Sequence, residues 1–255
     1  MASAALGEIV AAIRSNPYRP EKSVELLRQE TEAKAARPPE EASWEVVDAG
    51  GVPSERIRMP ASRPARVFLF IHGGGYYRGS SQATRAVAAW IAGATAATVL
   101  SINYRLAPEN PFPAAIDDTC ASYRWLLSAG VAAEQIVVGG VSAGGGLTLA
   151  LLLALKERGE PLPAGAVPMS AWTDLAQTGN SFSANATVDP SISKEYLDRF
   201  AALYLDGVDP QTPLASPVHG DLEGLPPLLM QVGTVETMLD DSRLFAARAR
   251  AAGVD

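Results

Sequence analysis

The pentapeptide GVSAG at residues 140–144 has the Gly-x-Ser-x-Gly pattern that can carry a nucleophilic serine. It follows the apolar run QIVVG and opens the helix-forming run GGLTLALLLALKER. A serine at such a sharp strand-to-helix turn is strained and exposed, and the flanking glycines avoid clashes with nearby backbone. The start of the helix also offers N–H groups to an oxyanion. Ser142 is therefore the candidate nucleophile, and an ordinary Gly/Ser-rich turn is the alternative interpretation.

The tetrapeptide HGGG at residues 72–75 directly follows the apolar run VFLFI. A run of glycines lets backbone N–H groups approach a ligand with no side chain in the way, and such loops supply oxyanion donors in esterases and lipases. We expect the N–H groups of Gly73, Gly74 and Ala143 to form the oxyanion hole, with His72 shaping the loop rather than carrying a proton. No nucleotide-binding glycine pattern follows the loop, which argues against a phosphate-binding role.

The elements that must position these loops alternate along the chain. Apolar or alternating runs predict strands at residues 44–47, 56–59, 67–71, 97–102, 135–139, 164–169 and 228–232. Helical periodicity appears at residues 83–94, 114–129 and 145–158. This alternation predicts an α/β fold, with one mostly parallel sheet covered by helices on both faces.

Two further segments are predicted to lie above that sheet. Residues 1–42 contain two amphipathic stretches, with breaks at Asn16-Pro17 and at the prolines near residue 38. Residues 176–206 are polar at first and then amphipathic, in the run SKEYLDRFAALYL. We interpret both as parts of a helical cap over a core formed by residues 43–255, and call them the cap segments.

Composition limits the possible partners. The 255 residues are 47% hydrophobic and 19% charged, enough to bury one large core. A net charge of −7 argues against nucleic acid and anionic membranes, and favours neutral small molecules.

No apolar run has the length of a membrane span, and the acidic Glu8 near the N-terminus argues against a signal peptide, so the predicted location is the cytoplasm. The single cysteine, Cys120, stands at helical spacing and is interpreted as a buried structural thiol.

Four motifs together resemble the hormone-sensitive-lipase-like family of carboxylesterases: HGGGYYRGS, YRLAPENPFPAAIDD, GVSAGG and WTDL. The resemblance runs from about residue 43 to the last residue. It implies an α/β-hydrolase core with a helical cap, and hydrolysis of short acyl esters through an acyl-enzyme without metal or cofactor. The stretch DAGGVPSERIRMP is similar to bacterial acetyl hydrolases and monoterpene lactone hydrolases, so lactones are a second implied substrate class. Family members often dimerise through sheet edges, so the resemblance implies a homodimer as one possible assembly, while the residues themselves do not decide the oligomeric state.

The resemblance also assigns the catalytic acid. In this family the acid follows the penultimate strand, in a Gly-x-x-Asp-like motif before an acidic pair, and the matching segment here is GTVETMLDD at residues 233–241. The aligned position is Glu236, since a glutamate can orient a histidine as an aspartate does. Asp240 is the second candidate, although an acidic pair that opens a helix is also a common cap.

The histidine of the expected triad has no good candidate. His72 and His219 are the two histidines of the chain, and both precede Glu236, whereas the family places the base after the acid. We therefore expect the base, the last strand and the last helix of the fold to lie outside these 255 residues, and expect the chain alone to be inactive. The alternative function is a small-molecule binding protein that uses the same pocket without turnover.

Overall fold

The computed structural model describes residues 3–15 and 19–255, and the predicted break at Asn16-Pro17 lies outside them. Six strands form one sheet in the order β1-β2-β4-β3-β5-β6. Their bounds are β1 Ser43–Asp48, β2 Pro53–Arg58, β3 Arg63–Ile71, β4 Ala97–Ile102, β5 Ile136–Val141 and β6 Gly165–Met169. The pairs β1/β2 and β2/β4 are antiparallel, while β3/β4, β3/β5 and β5/β6 are parallel. The expectation of a mostly parallel sheet is confirmed.

The predicted strand at residues 228–232 does not form a regular strand. It pairs with β6 only through isolated parallel bridges, Ala166 with Leu228 and Met169 with Gln231. Pro168 of β6 lies between these bridges and has no N–H to donate, so the ladder loses one hydrogen bond at its centre. The prediction placed the chain correctly beside β6 but overestimated the regularity of the pairing.

Eight α-helices occur among the described residues. They are α1 Ala4–Arg14, α2 Val24–Ala33, α3 Arg85–Thr95, α4 Ala114–Ser128, α5 Ala143–Glu157, α6 Ser181–Ala184, α7 Lys194–Leu205 and α8 Leu239–Ala251. The helices α3, α4 and α5 match the predicted ones to within two residues at each end. In the described part of the chain, no helix has both the length and the apolar character needed to cross a membrane.

Alternating residues of β3 separate the two faces of the sheet. Leu69 and Ile71 belong to the buried cluster that contains residues of α4 and α5. Phe68 and Phe70 belong to a second cluster with alanines of α3. Since successive side chains of a strand point to opposite faces, helices cover both faces, as expected. The helix α5 is buried along almost its whole length because it lies against the centre of the sheet.

The two cap segments contact one another. The Arg199 side chain of α7 donates to the backbone oxygens of Pro20 and Lys22, at 2.9 and 3.0 Å. Arg28 of α2 joins this assembly to the rest of the chain, because its guanidinium binds Glu109 and also donates to the Tyr77 and Ala107 carbonyl oxygens. These contacts are consistent with a cap, but its boundaries at residues 42, 176 and 206 stay predictions.

Candidate active site

Ser142 occupies a strained turn between β5 and α5. Its backbone has φ 56° and ψ −119°, a conformation that L-residues rarely adopt. The turn needs glycine on both sides: a Cβ at Gly140 would lie 2.4 Å from the Gly144 oxygen, and one at Gly144 would lie 2.1 Å from the Ile71 oxygen. Hydrogen bonds hold the serine in this position, since Ser142 N donates to Met169 O at 2.9 Å and Ser142 O accepts from Trp172 N at 3.0 Å.

The glycine loop, residues 73–75, lies against this turn. A Cβ placed on Gly73 would be 2.7 Å from Val141 O and 3.4 Å from Ser142 Cβ, so only a glycine allows this approach. Gly74 has φ 124° and an equally crowded position. The N–H groups of Gly73, Gly74 and Ala143 donate to no other described residue. The structure thus brings the three predicted donors to one place beside Ser142 and leaves their hydrogen-bonding capacity unused.

His72 is buried under the loop. Its Nδ1 lies 2.8 Å from the Gly73 oxygen, and its ring stacks on Tyr104 with 4.3 Å between centroids. The Tyr104 hydroxyl donates to the His72 backbone oxygen at 3.0 Å. Burial lowers the pKa of His72 to about 4, so its ring is neutral near pH 7. These contacts are those of a residue that shapes the loop. Sequence reasoning missed Tyr104, although it stands in the quoted YRLAPEN motif.

Glu236 lies one strand away from Ser142. Its Oε1 accepts hydrogen bonds from Ser170 Oγ at 2.8 Å and from Gly233 N at 2.7 Å. Ser170 directly follows β6, whose last residue, Met169, accepts the hydrogen bond from Ser142 N. The second carboxylate oxygen, Oε2, forms no hydrogen bond with a described residue. Sequence reasoning did not find Ser170, because no pattern marks a serine that supports a carboxylate from another element.

Asp240 and Asp241 have structural partners. Asp240 Oδ2 accepts from Ser181 N at 2.9 Å, and Ser181 Oγ accepts from Asp240 N at 3.0 Å, so this carboxylate ties α8 to the start of α6. Asp241 is buried and accepts from Thr173 N and Asp174 N at 2.7 and 3.0 Å. Burial raises the pKa of Asp241 to about 8. Glu236 differs from both in that its carboxylate contacts the serine that follows β6.

His219 takes part in a different cluster. It ends a short 3₁₀ turn, Pro217–His219, and its Nε2 lies 3.3 Å from Asp174 Oδ1. Asp174 is buried and also accepts from Ala176 N and Thr178 N. Neither His219 nor His72 makes a hydrogen bond to Ser142 or Glu236. The structure therefore places predicted donors beside Ser142 and places Glu236 next to Ser170 at the end of β6, and neither histidine is bonded to the serine or to the acid.

An open cavity of about 440 Å³ adjoins the glycine loop, and we call it the outer cavity. Gly73, Gly74 and Val141 form its inner wall. Residues of α2 and the beginning of α3 form the opposite side, including Thr31 and Val87. Its size suits a small molecule, and two of the three predicted donors, Gly73 and Gly74, belong to its wall.

Comparison with known proteins agrees with this geometry. The sequence profile of a family described as "alpha/beta hydrolase fold" matches residues 68–255. A solved structure described as an esterase from the bacterial hormone-sensitive lipase family superposes with a TM-score of 0.96 at 48% sequence identity. That superposition covers 100% of this chain and 87% of the other.

Characterised sequences give the same result. An "Acetyl-hydrolase" of Streptomyces hygroscopicus is 45% identical over 209 residues, which cover 82% of this chain and 70% of that protein. An "Esterase" of Acinetobacter venetianus is 40% identical over 205 residues, which cover 80% of this chain and 67% of that protein.

Proposed function

Because the chain belongs to the hormone-sensitive-lipase-like family of the alpha/beta-hydrolase fold, we propose that it is a serine carboxylesterase acting on short-chain acyl esters. One observation carries the proposal: Ser142 stands at a strained turn beside N–H groups that no other described residue uses. Relatives named acetyl-hydrolase and esterase support the same reaction class, and nothing favours a binding protein without turnover. Lactones remain a second substrate class, implied by resemblance alone.

The proposed reaction proceeds in two steps. Ser142 Oγ attacks the ester carbonyl and loses its proton to a base, and the negative oxygen accepts hydrogen bonds from the N–H groups of Gly73, Gly74 and Ala143. Expulsion of the alcohol, which regains the proton, leaves an acyl group on the serine. Water, deprotonated by the same base, then releases the acid and restores the serine. Glu236 holds the base in the correct tautomer through its free Oε2.

We infer that neither histidine of the chain is this base. His72 is buried, neutral and engaged with the glycine loop, and His219 is paired with Asp174. Without a base, a serine hydroxyl is a poor nucleophile near neutral pH. The 255-residue chain should therefore hydrolyse esters slowly, and free imidazole should raise its rate by supplying a base that Glu236 can orient.

A serine-directed phosphonate tests the nucleophile. When the reaction is run with added imidazole, we expect mass spectrometry to place the adduct on Ser142, and Ser142→Ala to remove both the adduct and the imidazole-dependent hydrolysis of an acetyl ester. Ser80→Ala is the control and should keep the label, because Ser80 Oγ bonds Glu32 away from the turn at Ser142. A label on any other residue would overturn the assignment. Loss of hydrolysis in His219→Gln would make that histidine the base.

We propose a cytoplasmic location and a homodimer. The acidic composition of the chain fits a cytoplasmic location. The edge strand β1 leaves Trp44 and Val46 exposed, which supports a homodimer formed through this edge. Light scattering of the protein and of Val46→Lys would test the dimer.

A further inference from the structure

A second, smaller cavity adjoins the outer cavity, and we call it the inner cavity. This inner cavity has a volume of about 200 Å³ and lies between α2 and the second cap segment, with Leu27 and Tyr196 among its walls. Glu30, Lys34 and Arg78 line both cavities, so their side chains form the boundary between the two. A ligand held at the glycine loop can therefore reach towards the inner cavity along these three residues.

The charge around the two cavities is opposite to that of the whole protein. The charged residues that line them are Arg19, Lys22, Glu30, Lys34 and Arg78. The single carboxylate, Glu30, is paired with Lys22. The hydrogen bond from Lys22, and after it the charges of Lys22, Lys34 and Arg78, lower the pKa of Glu30. The remaining cations are not neutralised, in a chain whose net charge is −7. A cavity lined by one sign of charge concentrates ligands of the other sign.

Arg78 is the cation nearest to the proposed chemistry. It follows the glycine loop, and its Cγ lies 3.0 Å from the place that a Cβ of Gly74 would take. The guanidinium carbon lies 5.3 Å from the ring centroid of Tyr77 and 5.7 Å from that of Tyr196. Within the described part of the chain, Arg78 forms no ion pair or hydrogen bond through its guanidinium. The two rings hold the group in place while its five N–H donors stay free.

We propose that Arg78, assisted by Lys34, binds an anionic group carried by the ester substrate several bonds from its carbonyl. A carboxylate or a phosphate matches the planar fork of the guanidinium, which can bind either with two parallel hydrogen bonds. This inference rests on the proposed function, because it takes the outer cavity as the ester site. The net charge of the chain favours neutral esters, whereas this proposal predicts that the preferred esters carry a negative charge at one end.

Paired probes test the charge preference without requiring turnover. Calorimetric titration of the Ser142→Ala protein would compare methyl hydrogen succinate with dimethyl succinate, which places the anion on the acyl side. It would likewise compare 3-acetoxypropanoate with its methyl ester, which places the anion on the alcohol side. We expect one anionic probe to bind about tenfold tighter than its neutral partner, a preference that falls as salt is raised. Equal binding within both pairs would overturn the proposal.

Variants identify the residue responsible. In the same background, Arg78→Met should remove most of this preference, Lys34→Met should reduce it, and Arg78→Lys should restore part of it because the charge is kept. Arg66→Met is the matched control, since Arg66 is an exposed arginine of β3 that lines neither cavity, and should leave the preference unchanged. Thermal melting confirms that each variant is folded. An Arg78→Met protein that is folded and keeps the full preference would contradict the assignment.

The two proposals can fail separately. If the anionic probe binds through Arg78 but the unsubstituted protein hydrolyses no ester, even with imidazole, the esterase proposal fails and the anion site stands. If neutral esters are hydrolysed at Ser142 and no probe pair shows a charge preference, the anion site fails and the esterase stands.

Discussion

Glu236 is a carboxylate whose two oxygens have different surroundings. Oε1 is fixed by Ser170 and Gly233, while Oε2 has no partner among the residues that the structure describes. A glutamate has one methylene more than an aspartate, and the Gly233 contact bends the longer chain back towards the strand end. Oε2 is therefore the oxygen that can orient an imidazole. In a side chain that rotated freely, the two oxygens would exchange places.

We expect Glu236→Gln to lower the imidazole-dependent rate of acetyl ester hydrolysis by about tenfold or more, because an amide cannot stabilise the imidazolium that forms. Asp240→Asn is the control. Its amide oxygen can still accept from Ser181 N, so its rate should stay within about twofold of the parent. The reverse order of the two effects would identify Asp240 as the acid.

At the scale of elements, the junction of β5 and α5 depends on how closely the helix start approaches β3. A Cβ on Gly144 would lie 2.1 Å from the Ile71 oxygen and 2.5 Å from the His72 oxygen, both of them backbone atoms. Neither atom can move without shifting the strand that leads into the glycine loop. The same contact that packs the helix therefore aligns Ser142 with the loop.

Gly144→Ala should lower the Tm by about 6 °C or more, as expected for a loss of roughly 3 kcal/mol in a domain of this size. Gly93→Ala is the matched helix control. A Cβ there would meet only Met59 Cγ at 3.7 Å, an ordinary contact, so the Tm should be unchanged or rise by about 1–3 °C. Equal melting temperatures for the two variants would show that the close approach is not needed for stability.

At the scale of the whole molecule, Asp241 connects α8 to the loop that follows β6. It accepts hydrogen bonds from the backbone of Thr173 and Asp174, and its Oδ1 has no partner within the described chain. Burial raises its pKa to about 8, whereas an unfolded aspartate titrates near 3.9. The folded state thus binds a proton that the unfolded state releases between these values, so this group destabilises the protein increasingly as pH rises from about 4 to about 8.

Between about pH 5 and pH 8, we expect the Tm of the parent to fall by at least about 2 °C more than the Tm of Asp241→Asn. A change of roughly 1 kcal/mol in the free energy of unfolding produces a shift of this size. Asparagine keeps an acceptor for both N–H groups and does not titrate. Thermal melts at several pH values, at constant ionic strength, measure this difference. Parallel curves for the two proteins would show that Asp241 does not titrate in this range.

Local patterns were sufficient for the parts of the protein that depend on near neighbours in the chain. The strands β3, β4 and β5 and the helices that follow them were predicted because a buried parallel sheet requires continuous apolar runs. The turn at Ser142 and the glycine loop were also predicted, because each motif consists of consecutive residues. Part of the need for glycine is also local, since a Cβ on Gly140 would meet Gly144 and one on Gly74 would meet Arg78.

Tertiary structure decided what depends on distant contacts. The partners of Glu236, the stacking of Tyr104 on His72 and the pairing of His219 with Asp174 join residues far apart in sequence, and no local pattern encodes them. Pro168 disturbs the pairing of residues 228–232 only because the two segments are neighbours in space. The cationic lining of the two cavities was also decided by tertiary structure. Net charge is a sum over the whole chain, whereas a bound ligand responds to the few charges that folding brings close to it.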